Sequence, residues 1–322
     1  MGFDLGGTKM LSQLYDHRFK RLAQERERTN GHEGADSGVE RIIKLIQKTL
    51  KSADVDAKRL CGIGIGCPGP LDLDEGVIVE APNLGWKLVP IRKLLEAAFQ
   101  CPVAICNDVD AGMYGEYRFG AAKGARTALG VFPGTGIGGG CIYEGNILRG
   151  KTGSCMEVGH VQVLIDGPLC GCGRRGCLEA VASRLAIATA AAAAAYRGEA
   201  PHLMECIGTD VSKIRSKALS KSVKAGDKAI EAILKNAAGH IGNVVGDLVN
   251  LLSPDYVVLG GGLVEAMTDL FVPTVKKAAR QHCMPAYADS FKVVAAELAD
   301  DATAMGAAAW CERLEQSKEV AV

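Results

Sequence analysis

The sequence predicts an α/β protein of two lobes, the second repeating the plan of the first. At 322 residues the chain exceeds what one hydrophobic core usually holds. Short apolar strands alternate with segments of helical period along most of its length. Gly6-Gly7-Thr8 and Gly134-Thr135-Gly136 lie about 130 residues apart, and each opens a set of strands and helices.

Phe3-Asp4-Leu5-Gly6-Gly7-Thr8-Lys9 leads into a β-like stretch at Met10–Tyr15 and another at Phe19–Glu27. Two glycines between short strands predict a tight hairpin whose backbone N–H groups can face an anion. Thr8 and Lys9 add a hydroxyl and a cation, and Asp4 can hold the waters of a magnesium ion. The stretch is not a P-loop, because the Gly-x-x-x-x-Gly-Lys spacing and the following helix are missing.

Val39, Ile42, Ile43, Leu45, Ile46 and Leu50 predict an amphipathic helix over Ser37–Lys51. Cys61-Gly-Ile-Gly-Ile-Gly-Cys67 then predicts a buried strand, ended by Pro68-Gly69-Pro70. Asn83 sits beside Trp86 in a loop before the helix Ile91–Phe99, either serving a polar ligand or forming a surface turn. Pro102–Cys106 predicts a strand ending in Asn107-Asp108, with helix from Ala111 to Tyr117. Ligands of open α/β sheets bind beyond the carboxyl ends of strands, which places Asp108 for chemistry. Taken locally, a helix cap at Asn107 or Asp108 is the stronger reading.

Thr127–Phe132 predicts a strand, and the glycine run 134–140 a turn into Cys141–Tyr143. Helices are expected at Leu178–Arg197, Asp227–Leu252, 265–282 and 301–314, and strands at Tyr256–Leu259 and 291–296. Gly260-Gly261-Gly262 either lets backbone face a purine or ribose or is a simple strand-to-helix turn. Gly306-Ala-Ala-Ala309 makes one face of the last helix small, and 198–225 is polar and weakly patterned.

The densest signal is Glu157-Val-Gly-His160 followed by Cys170-Gly-Cys172-Gly-Arg-Arg-Gly-Cys177-Leu-Glu179. Three of the twelve cysteines fall within eight residues, so buried, merely apolar thiols explain them poorly. Three thiolates and an imidazole close a tetrahedron, which predicts structural zinc on His160, Cys170, Cys172 and Cys177. Gly171, Gly173 and Gly176 let the loop turn around the ion. The knuckle would orient Glu157, His160 and Glu179 as a polar pocket.

Lys plus Arg and Asp plus Glu both number 37, so neither a polyanion nor an anionic membrane is an expected partner. The first residues lack the basic, apolar, small-residue pattern of a secretory signal, so none is expected, and the apolar run Leu185–Tyr196, bounded by Arg184 and Arg197, is expected to be too short to span a bilayer. Scattered cysteines with no dense framework fit a reducing cytoplasm.

The two Gly-Thr turns, the strand-end Asp108, the Gly260–Gly262 loop and the knuckle resemble the ROK family of sugar kinases and repressors. The resemblance implies a two-lobed actin-like, ribonuclease H-like ATPase fold with a cleft between the lobes. It places the smaller lobe at 1–107 plus about 303–318 and the larger at 108–302, with the zinc loop at 157–179. It implies transfer of the ATP γ-phosphoryl group to a hexose, with Asp108 as general base. Asn83, Asn107, Asp108, Glu157, His160 and Glu179 match sugar-binding positions. Asp4, Gly6, Gly7, Thr8, Lys9, Thr135 and Gly136 would serve Mg2+ and the phosphates, and Gly260, Gly261 and Gly262 the adenosine. Here the capping reading of Asp108 gives way, because independent motifs point at one site.

Glucose is the expected sugar, with an N-acetylhexosamine, mannose or fructose as alternatives, and a sugar-responsive regulator without kinase activity as the competing class. Only Met1, Gly2 and Phe3 precede the Asp4-Leu-Gly-Gly-Thr8 turn, where the family usually has several apolar residues, so either the start is assigned late or the first strand is unusually short. The helix-turn-helix of the family's repressors has no residues there, and no nucleic-acid partner is expected. A homodimer is implied, with helix 227–252 as one contact.

Overall fold

The computed structural model describes residues 1–151, 153 and 155–320, the last three by backbone alone. The chain forms two compact units, Met1–Gly124 with Asn146–Cys155 and Leu298–Val322, and Ala125–Gly145 with Met156–Glu297.

The first unit begins with β1 (Gly2–Leu5), β2 (Lys9–Tyr15), β3 (Arg21–Arg28), α1 (Ala35–Ser52) and β4 (Ile63–Cys67). A small antiparallel sheet, β5 (Leu71–Asp72), β6 (Val77–Ala81) and β7 (Trp86–Val89), leads to α2 (Ile91–Phe99), β8 (Val103–Asn107) and α3 (Asp108–Phe119). The main sheet runs β3-β2-β1-β4-β8. Its members β1, β4 and β8 are parallel, and β2 and β3 are antiparallel additions.

The alternation Gly62-Ile-Gly-Ile-Gly66 is legible in this sheet, because successive strand residues face opposite sides. Phe3, Ile63 and Ile65 join the core that includes Val39, Ile42 and Ile46 of α1. On the other side, a Cβ on Gly2 or Gly64 would fall on the carbonyls of Ala304 and Ala307. Both carbonyls belong to the last helix, Ala302–Val320, whose small face lets it lie on the sheet backbone. The same helix meets α3, where Gly115 faces Ala302 and Gly306 faces Ala111. This packing puts α3 in the first unit, not in the lobe expected to begin at residue 108.

The second unit repeats the order. Here β9 (Thr127–Pro133) and β10 (Ile137–Tyr143) form a hairpin, followed by the two-residue β11 (Asn146–Ile147), which falls in the first unit's Asn146–Cys155 segment. After the knuckle come α4 (Leu178–Ala182), α5 (Arg184–Tyr196), α6 (Pro201–Cys206), α7 (Ser216–Lys224) and α8 (Lys228–Leu252). Next are β12 (Tyr256–Leu259), α9 (Gly262–Ala266), α10 (Thr268–His282) and β13 (Lys292–Ala295), and the last helix is α11. Four strands run β10-β9-β12-β13, with β9, β12 and β13 parallel, matching β2-β1-β4-β8 of the first unit.

Several local expectations change. Gly138, Gly139 and Gly140 lie inside β10, opposite Phe132, Val131 and Gly130 of β9, so only Gly134–Gly136 of the glycine run turns and the rest is strand. The helix expected at 178–197 breaks at Ser183, whose extended backbone and side-chain bond to the Ala186 N–H start α5 afresh. A second break at Met267 separates α9 from α10. The polar segment 198–225 contains α6 and α7. Together Leu178–Tyr196 is long and apolar enough to cross a membrane by length and composition, but half of it is buried within the protein, and α4 and α5 pack against α8.

Candidate functional site

In the first unit, the β1–β2 hairpin closes with the Gly6 N–H donating to Lys9 O at 3.1 Å. The Thr29 hydroxyl donates to Gly6 O at 2.6 Å, and the Thr29 N–H to Thr8 O at 3.0 Å, so the turn is braced from β3's end. Gly7, Thr8 and Lys9 are exposed. A Cβ on Gly7 would stand 3.3 Å from Cβ of Asn83, which brings that loop beside the turn. Trp86 is a different matter. It is buried in the core with its indole N–H on Gly31 O at 3.2 Å, and has no part in a polar site.

Asn107 settles the capping question. Its Oδ1 accepts from the Val109 N–H at 2.9 Å and the Asp110 N–H at 3.3 Å, making it the N-cap of α3. Asp108 is the first residue of that helix, its Oδ1 accepting from its neighbour Val109 at 2.9 Å. Burial pushes the Asp108 carboxyl above the ordinary aspartate range, against the pull of those backbone bonds and of Asn107. Asp4, at the carboxyl end of β1, is raised to about 7, first by burial and then by the charges of Asp108 and Asp300. Gly66 lies between them in the sheet, paired with Asp4 and 3.5 Å by its missing Cβ from the Asp108 Cα. Two carboxyls crowded at one strand end favour a bound cation over two free charges.

One cavity of about 460 Å3 in this unit lies at the opposite, amino ends of β1 and β4, beside Met1, Phe19 and Gly62. None of the predicted site residues lines it, so it is not the chemical site.

In the second unit, the β9–β10 turn closes with the Gly134 N–H on Gly136 O at 2.8 Å. Glu179 of α4 supports it, Oε2 accepting from the Ile137 N–H at 3.0 Å and fitting the space where a Gly136 Cβ would stand. Arg184, the first residue of α5, supports it as well. Its N–H donates to Gly134 O at 2.9 Å, and its Nη2 to Thr135 Oγ1 at 2.7 Å. In the sequence Arg184 stands out only as the edge of an apolar run. The Ser183 cap was the signal that could have placed it at a helix start.

The ligand atoms of His160, Cys170, Cys172 and Cys177 all lie within 4.8 Å of one another. The Cys170 Sγ is 3.6 Å from His160 Nδ1, and the Cys172 and Cys177 sulfurs are 3.7 Å apart. Four donors at zinc bond lengths of about 2.3 Å to sulfur stand about 3.7 Å apart, so the donor set fits a tetrahedral ion. Nδ1 faces the cluster, which leaves His160 Nε2 for another partner. Gly173 and Gly176 take positive φ, and a Cβ on Gly176 would strike the Leu164 carbonyl. Gly171 does not need that freedom, because its φ is not positive. Glu179 Oε1 lies 3.8 Å from Cys170 Sγ, so one carboxylate touches both knuckle and turn. Glu157 precedes the short helix Val158–His160 and is exposed.

At the Gly260 loop the bland alternative explains two glycines. Gly261 has φ of 83°, and a Cβ there would be 2.8 Å from Pro133 O, while one on Gly260 would be 2.6 Å from Phe132. Gly262, with only Ser216 Oγ at 3.7 Å, is the open one.

Known proteins resemble this chain over nearly its whole length. The chain is 32% identical over 99% of its length to a glucokinase of Halalkalibacterium halodurans, covering 96% of that protein. It is 33% identical over 96% of its length to a glucokinase of Thermotoga maritima, covering 95% of it. Among solved structures, a ROK family glucokinase from Streptomyces griseus in complex with glucose and AMPPNP superposes with a TM-score of 0.80 at 30% identity, over 97% of this chain and 98% of that one. The ROK family model matches residues 1–314, and the chain belongs to the ROK family.

Proposed function

We propose that this protein is an ATP-dependent hexose kinase that makes glucose 6-phosphate from glucose, with Asp108 as the general base. The single observation that carries the assignment is the freeing of Asp108: Asn107 caps α3, and a partly buried carboxyl of raised proton affinity remains at a strand end. Such a group takes a proton from a sugar hydroxyl more readily than an ordinary aspartate does near neutral pH. The C6 oxygen attacks the γ-phosphorus, the bond to the β–γ bridging oxygen breaks, and ADP departs with that electron pair. The hydroxyl proton goes to Asp108. Little else is asked of the protein beyond positioning and charge stabilisation.

Asn83, Asn107, Glu157, His160 and Glu179 are assigned to the sugar hydroxyls. Asn107 serves through its amide N–H groups, since its oxygen is engaged at the cap. His160 serves through Nε2. Gly6, Gly7, Thr8, Lys9, Thr135 and Gly136 are assigned to the phosphates, and Gly260–Gly262 to the adenosine, with Gly262 the residue that most directly offers backbone. A magnesium ion bound beside Asp4 supplies charge neutralisation of the phosphates. Zinc on the knuckle supplies rigidity only, because four protein donors leave no open position. A cytoplasmic homodimer is the expected setting, although α8 buries its main apolar stripe, including Leu234, Ile241 and Val245, within its own unit. The glucokinase relatives support glucose over the alternatives, an N-acetylhexosamine, mannose or fructose.

The test is ADP release with Mg-ATP across glucose, mannose, fructose, N-acetylglucosamine and N-acetylmannosamine. Saturable turnover highest on glucose is expected. Turnover on none of them, with sugars still raising the melting temperature, would favour a sugar-responsive regulator instead.

A further inference from the structure

The turn Gly134-Thr135-Gly136 is gripped by two residues of opposite charge from consecutive helices. Glu179 holds the Ile137 N–H, and Arg184 holds both Gly134 O and the Thr135 hydroxyl oxygen. The second contact fixes a direction. A guanidinium has five N–H donors and no acceptor, whereas a threonine hydroxyl has one donor and two acceptor sites. With Arg184 donating to it at 2.7 Å, Thr135 Oγ1 is an acceptor there, and its own proton must be donated to something else. Thr135 is exposed, and among the described residues no protein group accepts its proton, which leaves the hydroxyl to donate to water or to a bound ligand. Among the described residues no carboxylate pairs with the Arg184 guanidinium, so no ion pair offsets the cation beside that hydroxyl.

We propose that Arg184 is a positioning residue for the nucleotide: it orients the Thr135 hydroxyl as a donor to an ATP phosphate oxygen and supplies a cation beside it. The inference rests on the kinase reading above and extends it to a residue which that reading does not use. The break at Ser183 is what brings Arg184 to the turn. A continuous helix from Leu178 would carry residue 184 onward in the α4 direction, whereas the cap restarts the chain with Arg184 against the turn.

The experiment compares R184Q, R184K, T135V and the double variant R184Q/T135V with the unaltered protein, measuring KM for ATP, KM for glucose, kcat and the Kd of Mg-AMPPNP. R184Q and T135V should each raise KM for ATP and the Kd of Mg-AMPPNP about tenfold, with KM for glucose within about twofold. R184K, which restores a cation and a donor, should recover part of the loss. The double variant should be no worse than the weaker-binding single, because both changes remove one hydrogen-bonded unit. Unchanged ATP parameters in R184Q, or additive losses in the double variant, would overturn the proposal. Equal weakening of ATP and glucose in both R184Q and R184K would mean a merely structural role and overturn it too. An unaltered protein that turns over no sugar would refute the kinase reading itself, whatever the variants do.

Discussion

Glu179 ties the knuckle to the second Gly-Thr turn: its Oε2 accepts the Ile137 amide proton at 3.0 Å while its Oε1 lies 3.8 Å from Cys170 Sγ. Disorder in the metal loop therefore reaches the turn through one side chain. Glu179→Ala should raise KM for both sugar and ATP, since it leaves the Ile137 N–H without its acceptor. A change confined to the sugar would separate the two roles and refute the link.

Metal analysis provides the second check. One zinc per chain is expected in the native protein, and Cys172→Ala should lose it and weaken sugar binding about tenfold or more. Native protein that contains no zinc would contradict the assignment of His160, Cys170, Cys172 and Cys177.

The glycines under α11 predict a packing result. A Cβ on Gly64 would fall on the Ala307 carbonyl, so Gly64→Ala must displace α11 or the strand, at a cost of about 1–3 kcal/mol. Gly239 in α8 meets nothing within 4 Å, and Gly239→Ala should stabilise by about 0.5–1 kcal/mol. Urea unfolding that ranked the two variants the other way round would contradict the described helix contacts.

Much of this was legible in the sequence because it is local. The strand–helix order, the hairpins at Gly6 and Gly134 and the knuckle spacing follow from neighbouring residues. The small face at Gly306 was visible too, although its partners, Gly2, Gly64 and Gly115, are set by tertiary packing. What escaped depends on distant pairing. Gly138–Gly140 form strand only because β9 supplies their partners, against the poor strand propensity of glycine. Ser183 breaks a run that intrinsic helix propensity would continue through the alanines of α5. Arg184 acquires its role from Thr135, 49 residues earlier in the chain. Asn107 and Asp108 were equal candidates for the cap until the backbone bonds assigned it to Asn107.

Asp4 gives a pH prediction with a definite sign. Its carboxyl is raised from 3.8 to about 7, so the native state holds the proton more tightly than the unfolded chain. The stabilisation is complete below the ordinary aspartate value and is lost as pH rises through about 7, at roughly 1.4 kcal/mol for each pH unit of displacement. Asp4→Asn should flatten the fall in stability between about pH 4 and 7 when no magnesium is added. An unchanged slope in denaturation curves across that range would show that Asp4 is not buried as described.

The most direct test of the central claim is glucose-dependent ADP release by the unaltered protein and by Asp108→Asn, side by side, with glucose affinity measured on both by calorimetry. The account predicts saturable turnover that falls about 10²–10⁴-fold in the variant, while the Kd for glucose changes little. Equal turnover in the two proteins would remove Asp108 from the chemistry, and no turnover in the unaltered protein would contradict the kinase assignment.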